Sequence, residues 1–215
     1  MIPLLHDFDG ETVLVAGGGS VGARKARRFA REARVLVLAP SFADADFGDA
    51  ERIRAALAPE SVAQWLDRTD PALAVAATDD TAVNDALASA ARERGLLVNR
   101  ADRAGERDAG SVVVPATVRE DPVVAAIATG GTSPALSRHL RGRIEPILED
   151  AGSMATLTGE IRTELRERGV DPGPRRDAVR AVVRSDAVWT ALDRGSANAR
   201  ATAADVVAAT TGESL

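Results

Sequence analysis

The sequence predicts an α/β protein: a doubly wound parallel sheet, followed by a β-hairpin and a small helical domain. Three observations lead to this prediction. Short apolar runs alternate with segments of helical period over the first hundred residues; two β-rich runs follow with no helix between them; and the chain after residue 134 is almost entirely of helical pattern. Strands that alternate with helices favour a parallel sheet with helices on both faces.

The first half supplies the sheet. Buried strands are predicted at 12–16, 34–39, 72–77 and 96–98, and helices at about 21–32 and 81–94. Gly95 follows the second of these helices and is a suitable residue to end it. The segment 51–66 also has apolar residues at helical spacing, interrupted by Pro59, and is expected to be helical.

The second half changes character after Arg100. A polar loop is expected over 101–110, a hairpin from the runs 111–118 and 122–129 with its turn at Glu120-Asp121, and then helices. These helices are predicted at about 134–150, 153–168 and 174–184, with shorter pieces to 210. The expected domains are an α/β domain over 1–110, a hairpin segment over 111–146 and a helical domain over 147–215.

The junction of the first strand and first helix has the spacing G-x-G-x-x-G. Gly17 permits a tight turn, Gly19 lets the backbone approach a pyrophosphate, and Gly22 allows the helix to pack closely on the sheet. The backbone N–H groups of Ser20 and Val21 then lie at the positive end of the helix dipole. This junction predicts a Rossmann-type nucleotide site.

The composition of the chain excludes several classes of function and of site. A net charge of -5 argues against a general nucleic-acid binder, and the absence of cysteine excludes disulfides, thiolate metal sites and cysteine nucleophiles. No preassembled metal cage is recognisable, so no metal site is predicted. The N-terminus does not read as a signal peptide and no apolar run is long enough to span a membrane, so a cytoplasmic location is expected.

Polar residues follow the later strands, at the sheet edge where ligands of open α/β folds bind. Thr78 and Asp79 follow the third predicted strand, and Asn99 and Asp102 follow the fourth. Thr78 or Asp79 equally fits the N-cap of the next helix, since acids and hydroxyls favour that position. Asp102 is either a general base beside a nicotinamide or an ordinary solvated loop acid.

The second predicted strand lacks the acid that often binds the ribose of NAD. It ends at Ala39-Pro40-Ser41, and the next acid is Asp44. Ribose recognition is therefore expected from Ser41, from backbone groups or from the turn at 78–80.

A second glycine-containing junction joins the hairpin to the following helix. It contains Thr129, Gly130, Gly131, Thr132 and Ser133, followed by Pro134. Ser133 is a suitable N-cap and Pro134 a suitable first helical residue, while the paired glycines allow a concavity for an anion. Arg138 and its neighbours His139, Arg141 and Arg143 fit either a solvated helix face or a carboxylate-rich ligand.

Together these elements resemble the precorrin-2 dehydrogenase and sirohydrochlorin ferrochelatase family, which also forms the N-terminal part of siroheme synthase. The resemblance rests on residues 15–26, on the A-T-D-D turn at 77–80, on Asn99 and Asp102 as an N-x-x-D element, and on the turn at 129–134. It covers about residues 1–145.

The resemblance implies an NAD-binding Rossmann domain, a central dimerisation segment and a helical domain on the substrate side, in a homodimer. It implies oxidation of precorrin-2 to sirohydrochlorin by hydride transfer to NAD+, with Asp102 as proton acceptor. Some relatives also insert Fe2+ with the same aspartate. The substrate carries eight carboxylates, for which the arginines are suitable partners.

Two other functions compete with this interpretation. A nucleotide-sensing module would normally keep the acid after the second strand and has no need of the Gly-Gly-Thr-Ser-Pro turn. A dehydrogenase of a small substrate would be expected to carry a catalytic His or a Tyr-x-x-x-Lys motif, and the chain contains no tyrosine.

Overall fold

A computed structural model describes residues 2–103 and 111–212. It divides into two compact units, the first extending to Val114 and the second beginning at Pro115, with Gly130–Thr132 grouped with the first. The predicted loop at 101–110 lies mostly outside the described residues. No helix in the two described stretches has the length and apolar character needed to cross a membrane.

The first unit is a five-stranded parallel sheet of order β3-β2-β1-β4-β5. Its strands are β1 Thr12–Ala16, β2 Arg34–Ala39, β3 Glu51–Arg54, β4 Leu73–Ala76 and β5 Leu97–Arg100, and its helices are α1 Ser20–Phe29, α2 Val62–Thr69 and α3 Thr81–Glu93. The central strand β1 pairs with β2 and β4 on its two sides. The doubly wound parallel sheet is confirmed.

Alternate side chains of the central strand enter two separate cores. Leu14 and Ala16 belong to the core that holds residues of α2 and α3, whereas Val13 and Val15 belong to the core that holds residues of α1. This alternation follows from the two-residue period of a strand, and it explains why the strand is apolar throughout.

The prediction of a helix over 51–66 is wrong for its first part. Residues 51–54 form β3, which pairs in parallel with β2 and places Ile53 against Leu38. Ile53 and Leu57 do pack on the core, so their helical spacing was a coincidence of two burial positions. The exposed backbone edge of β2 supplied hydrogen bonds that a local pattern does not reveal. Only Val62–Thr69 is helical.

The entry to the hairpin also differs from the prediction. Ser111 bridges Val98 in parallel, and the Val112 N–H donates to the Val98 carbonyl at 2.7 Å. The hairpin consists of β6 Ala116–Glu120 and β7 Val123–Ile127, paired antiparallel. Ser111 and Val112 therefore pair with β5 of the parallel sheet rather than with the hairpin.

The second unit continues as helices: α4 Pro134–Ile144, a 3-10 turn Glu145–Leu148, α5 Ala151–Glu167, α6 Pro172–Val183, α7 Asp186–Leu192 and α8 Ser196–Thr211. The helix predicted over 134–150 ends early, because Pro146 has no N–H to donate to the preceding turn. The last helix is 16 residues long rather than a short piece. Helices α5 to α8 share one apolar core.

Candidate nucleotide site

Three glycines of the first loop have no room for a side chain. A Cβ on Gly17 would lie 2.2 Å from the Ala77 carbonyl oxygen, and one on Gly22 would lie 1.9 Å from the Gly17 carbonyl oxygen. Gly17 also has a φ of 124°, which L side chains rarely adopt. Gly18, which the sequence analysis did not single out, would place a Cβ 2.1 Å from the Ser41 carbonyl oxygen.

Gly19 is different from these three. A Cβ built on it meets nothing within 4 Å, and its φ of -77° is ordinary. The space beside this residue is therefore open, which is the shape that a pyrophosphate needs for close approach to the backbone. The fold therefore requires glycine at positions 17, 18 and 22, whereas at position 19 only a bound ligand would require it.

Helix α1 begins without a side-chain cap. Gly19 occupies the N-cap position and has no side chain, and the first turn contains no acid. The N–H groups of Ser20, Val21 and Gly22 are the ones that a helix start leaves without an intrahelical partner. Such a start favours an anion through both hydrogen bonds and the helix dipole.

Ser41 lies just past β2 and is exposed. The Ala43 N–H donates to the Gly18 carbonyl at 2.8 Å, so the segment after β2 is held against the glycine loop. This places Ser41 beside the loop. Its role toward a ribose stays a prediction.

The turn after β4 is organised by Asn84, a residue of α3 that is 1% exposed. The Thr78 hydroxyl donates to the Asn84 side-chain oxygen at 2.7 Å, and the Asn84 amide donates to the Thr78 carbonyl at 2.9 Å. The prediction that Thr78 or Asp79 caps α3 is wrong. Asp80 caps it, accepting from the N–H groups of Ala82 and Val83, because only its side chain reaches back over the first turn.

Without a capping role, Asp79 is exposed beside the turn. Thr78 remains at the carboxyl edge of the sheet, next to Gly17: its backbone nitrogen would lie 3.0 Å from a Gly17 Cβ. The turn and the glycine loop are thus neighbours within one unit.

Asn99 carries a buried polar atom without a partner. The residue is 5% exposed, and its amide donates to the Val112 carbonyl at 2.8 Å. Its Oδ1 is buried and accepts no hydrogen bond from the part of the chain that the structure describes. Since such an atom costs free energy unless it is paired, it is suited to a donor from a bound molecule.

Asp102 is held by the guanidinium of Arg100. The Arg100 Nε donates to Asp102 Oδ1 at 2.8 Å and its Nη2 donates to Oδ2 at 2.6 Å. Together with the Asn84 amide, these bonds keep the pKa of the Asp102 carboxyl below its ordinary value, although partial burial opposes the shift. The carboxyl is therefore an ionised acceptor at neutral pH.

The hairpin–helix turn joins β7 to α4. Gly130 and Gly131 have φ of 66° and 88°, Ser133 caps α4 by accepting from the Leu136 N–H, and Pro134 begins the helix, as predicted. The Thr129 hydroxyl bonds to the Ser133 carbonyl and to the Ser137 hydroxyl, both at 3.0 Å.

The side chains available to a ligand at this turn are few. Thr132 and Arg138 are exposed. The hydroxyl groups of Thr129 and Ser133 form hydrogen bonds within the turn. The binding roles predicted for residues 129–133 and for Arg138 stay predictions.

The comparisons with known proteins agree with this geometry. A family model described as "Putative NAD(P)-binding" matches residues 4–116. The precorrin-2 dehydrogenase of Methanosarcina barkeri is 31% identical over 196 residues, which cover 87% of this chain and 85% of that protein. The chain belongs to the precorrin-2 dehydrogenase family.

One further sequence relative and one solved structure are also similar to this chain. The siroheme synthase of Stutzerimonas stutzeri is 34% identical over 184 residues, but this chain spans only 37% of its length. The solved structure of SirC, precorrin-2 dehydrogenase, superposes with a TM-score of 0.70 at 21% identity and covers 94% of this chain and 98% of that one. The predicted fold is thereby confirmed over nearly the whole precorrin-2 dehydrogenase chain.

Three residues of the site escaped the sequence analysis: Gly18, Asn84 and Arg100. Asn84 is a polar residue at helical spacing from the apolar residues Leu87 and Ala88 on the buried face of α3, which is a recognisable signal of a hydrogen-bonding role. Arg100 offers no such signal, because an arginine at the end of a strand is usually solvated. Only the side-chain geometry reveals its pairing.

Proposed function

We propose that this chain oxidises precorrin-2 to sirohydrochlorin, with NAD+ as the hydride acceptor. The observation that carries the proposal is the match to a precorrin-2 dehydrogenase along 85% of that protein and 87% of this chain. An unrelated nucleotide-binding protein would share the glycine loop but not the hairpin and the helices that follow it.

The glycine loop supports the cofactor. Gly19 borders open space, and the uncapped start of α1 offers the N–H groups of Ser20, Val21 and Gly22 to the pyrophosphate. Ser41 and Thr78 flank the loop and are proposed to contact the ribose, with Asp79 beside them. When bound, NAD+ supplies the electron-pair acceptor for the oxidation.

Asp102 is proposed to take the proton that the macrocycle loses during oxidation. Its ionised state suits a proton acceptor, and it follows the same strand as Asn99. The Asn99 Oδ1, which has no partner within the described stretches, is suited to accept a hydrogen bond from an amide, such as the carboxamide of a nicotinamide.

The turn at 129–133 and Arg138 are proposed to bind substrate carboxylates. Gly130 and Gly131 have positive φ, a Cβ on Gly130 would meet nothing within 4 Å, and Arg138 is an exposed guanidinium on the first turns of α4. Guanidinium groups bind carboxylates with two parallel hydrogen bonds, which matches a substrate of many carboxylates.

Two chains are proposed to form a homodimer through the hairpin. The protein is proposed to be cytoplasmic. Val123, Val124 and Ile127 of β7 are only half-buried, and a two-stranded sheet gains stability when a further surface covers it. Sedimentation at micromolar concentration is expected to give twice the chain mass; a monomer at that concentration would remove the dimer from the proposal.

The proposal is tested by anaerobic incubation with precorrin-2 and NAD+, following NADH and the tetrapyrrole spectrum together. Equal amounts of NADH and sirohydrochlorin are expected. Addition of Fe2+ then tests whether siroheme forms faster than without protein. Measurable NAD+ binding without NADH formation would refute the proposed reaction and leave a nucleotide-binding protein of another kind.

A further inference from the structure

Arg100 is almost completely enclosed at the end of β5. Its side chain is 7% exposed, and it donates to two carboxylates. Two bonds go to Asp102, and its Nη1 donates to Asp85 Oδ1 of α3 at 2.5 Å. A guanidinium held on both sides cannot rotate without breaking charge-assisted bonds, so Arg100 is a fixed element of this edge of the sheet.

The charges around Asp102 are few in the described residues. Asp85 lies on the far side of Arg100 and is also paired with Arg103 at 2.8 Å. From α3, the Asn84 side chain makes a smaller contribution to lowering the pKa of Asp102. Of these groups, Arg100 has the largest effect on the pKa of Asp102, since both carboxylate oxygens accept from it.

This pairing leaves Asp102 able to act. Each oxygen of an ionised carboxylate has room for a further hydrogen bond, so both can be bonded to Arg100 while one faces a substrate. A proton taken from the substrate would convert Asp102 to a neutral acid. Water would then accept that proton from Asp102 and restore the carboxylate. Arg100 stays protonated throughout, because a guanidinium does not lose its proton in proteins.

We propose that Arg100 is the positioning residue of Asp102: it holds the carboxylate by both oxygens in one orientation, and its adjacent positive charge sets the lower pH limit of the reaction. The inference rests on the proposed function, because it needs Asp102 as the proton acceptor. It goes beyond the motif residues, since Arg100 is one of the two unspecified positions between Asn99 and Asp102.

The first test is the pH profile of kcat/KM for wild type, Arg100→Met, Arg100→Lys and Arg103→Met. Loss of a directly bonded cation raises a carboxyl pKa by about 1 to 3 units, so the acidic limb of Arg100→Met is expected at a pH higher by that amount. Arg100→Lys keeps a charge but loses the two-pronged geometry, and its limb is expected between the two.

Arg103→Met is the matched control, because it removes one arginine that bonds to Asp85 and not to Asp102. Its acidic limb is expected within about half a pH unit of wild type. An equal shift in both methionine variants would mean that net charge is responsible and would overturn the role of Arg100. All four proteins are compared with the same substrate, whose own carboxyls titrate identically.

A second readout needs no turnover. Carboxyl-carbon NMR titration of labelled aspartates, with Asp102→Asn to assign the signal, is expected to show a higher pKa for Asp102 in Arg100→Lys and a still higher one in Arg100→Met. An unchanged pKa in both variants overturns the inference. If wild type forms no NADH, the proposed function fails instead, and the two failures are distinguished.

Discussion

Two strand-to-helix junctions of this protein contain neighbouring glycines, but they are built differently. At the first, Gly17, Gly18 and Gly22 have no space for a Cβ, and α1 begins without a side-chain cap. At the second, a Cβ on Gly130 would meet nothing within 4 Å, and Ser133 caps α4. The first junction is dictated by packing, and the second by local backbone conformation.

The difference indicates where the pyrophosphate of a nucleotide is expected to bind. At the start of α4, the Ser133 hydroxyl accepts a hydrogen bond from the Leu136 N–H, so this N–H is not available to a ligand. At the start of α1, no side chain does so in the described residues, and Gly19 adjoins open space. Glycine pairs alone therefore do not predict a phosphate site; an uncapped helix start beside them is the better indicator.

The strongest test of the comparison is Gly19→Asp. The fold has room for this side chain, but its carboxylate would lie where the pyrophosphate is expected, so NAD+ binding should weaken by at least about 100-fold, or about 2.7 kcal/mol. Calorimetric titration measures this. Gly130→Ala serves as control and should leave NAD+ affinity unchanged; equal losses in both variants would contradict the assignment of the cofactor to the first junction.

Gly22→Ala tests the packing side of the comparison. Its Cβ would overlap the Gly17 carbonyl, and overpacking of this kind lowers the free energy of unfolding by about 1 to 3 kcal/mol. Urea denaturation measures the change. Gly142→Ala, in the interior of α4 with nothing within 4 Å, should instead raise stability by up to about 1 kcal/mol. A stable Gly22→Ala protein would show that the close approach is not required.

Lys25 of α1 is a partly buried cation, and its effect on stability is expected to depend on pH more than that of an exposed cation of α4. Burial, aided by Arg28 and Arg24, lowers the pKa of Lys25 to about 8. Below pH 8 the folded protein carries this poorly solvated charge, and the penalty declines as pH rises from 8 toward the ordinary value. Lys25→Met should therefore raise the free energy of unfolding at pH 7 by about 1 to 2 kcal/mol, with a smaller gain at pH 9.5.

The control for this pH dependence is Arg138→Met, since Arg138 is exposed on α4. Its stability relative to wild type should not change between pH 7 and pH 9.5. Denaturation at both pH values measures both variants. A gain for Lys25→Met that is the same at both pH values would mean that the methionine stabilises by packing alone.

The smallest expected effect is that of Ser133→Ala. Loss of an N-cap costs about 1 kcal/mol, so the free energy of unfolding should fall by that amount. Ser20→Ala, at the uncapped start of α1, should change it by less than about 0.5 kcal/mol. Chemical denaturation of the two variants gives the comparison directly, and equal costs would mean that the cap at α4 is not contributing.

The sheet was the most predictable part of the fold. Three of its five strands, β1, β2 and β4, are almost entirely apolar, because both faces of a parallel strand are buried, and such runs can be recognised in a sequence. The strand β3 was missed, since it is short, lies at the edge and contains two arginines and a glutamate. Its conformation depends on pairing with β2, which only the folded chain supplies.

The candidate site was predicted unevenly for a similar reason. The roles of Gly17 and Gly22 in the turn and in helix packing follow from motif spacing, and the structure agrees with both. The cap of α3 was assigned to the wrong residue, because Thr78, Asp79 and Asp80 are all suitable cap residues and only the backbone direction selects Asp80. Spacing identifies a turn more reliably than it identifies the role of each polar residue within it.

The sequence by itself determined the strands and helices other than β3, the glycine loop and the family resemblance, because these depend on residues close together in the chain. Only the tertiary structure decided that Arg100 of β5 bonds to both Asp102 and Asp85 and that Asn84 holds the turn at Thr78. It also decided that the Asn99 Oδ1 has no partner among the described residues. Side-chain partners at a sheet edge are set by the packing of separate elements, and local spacing carries no record of that packing.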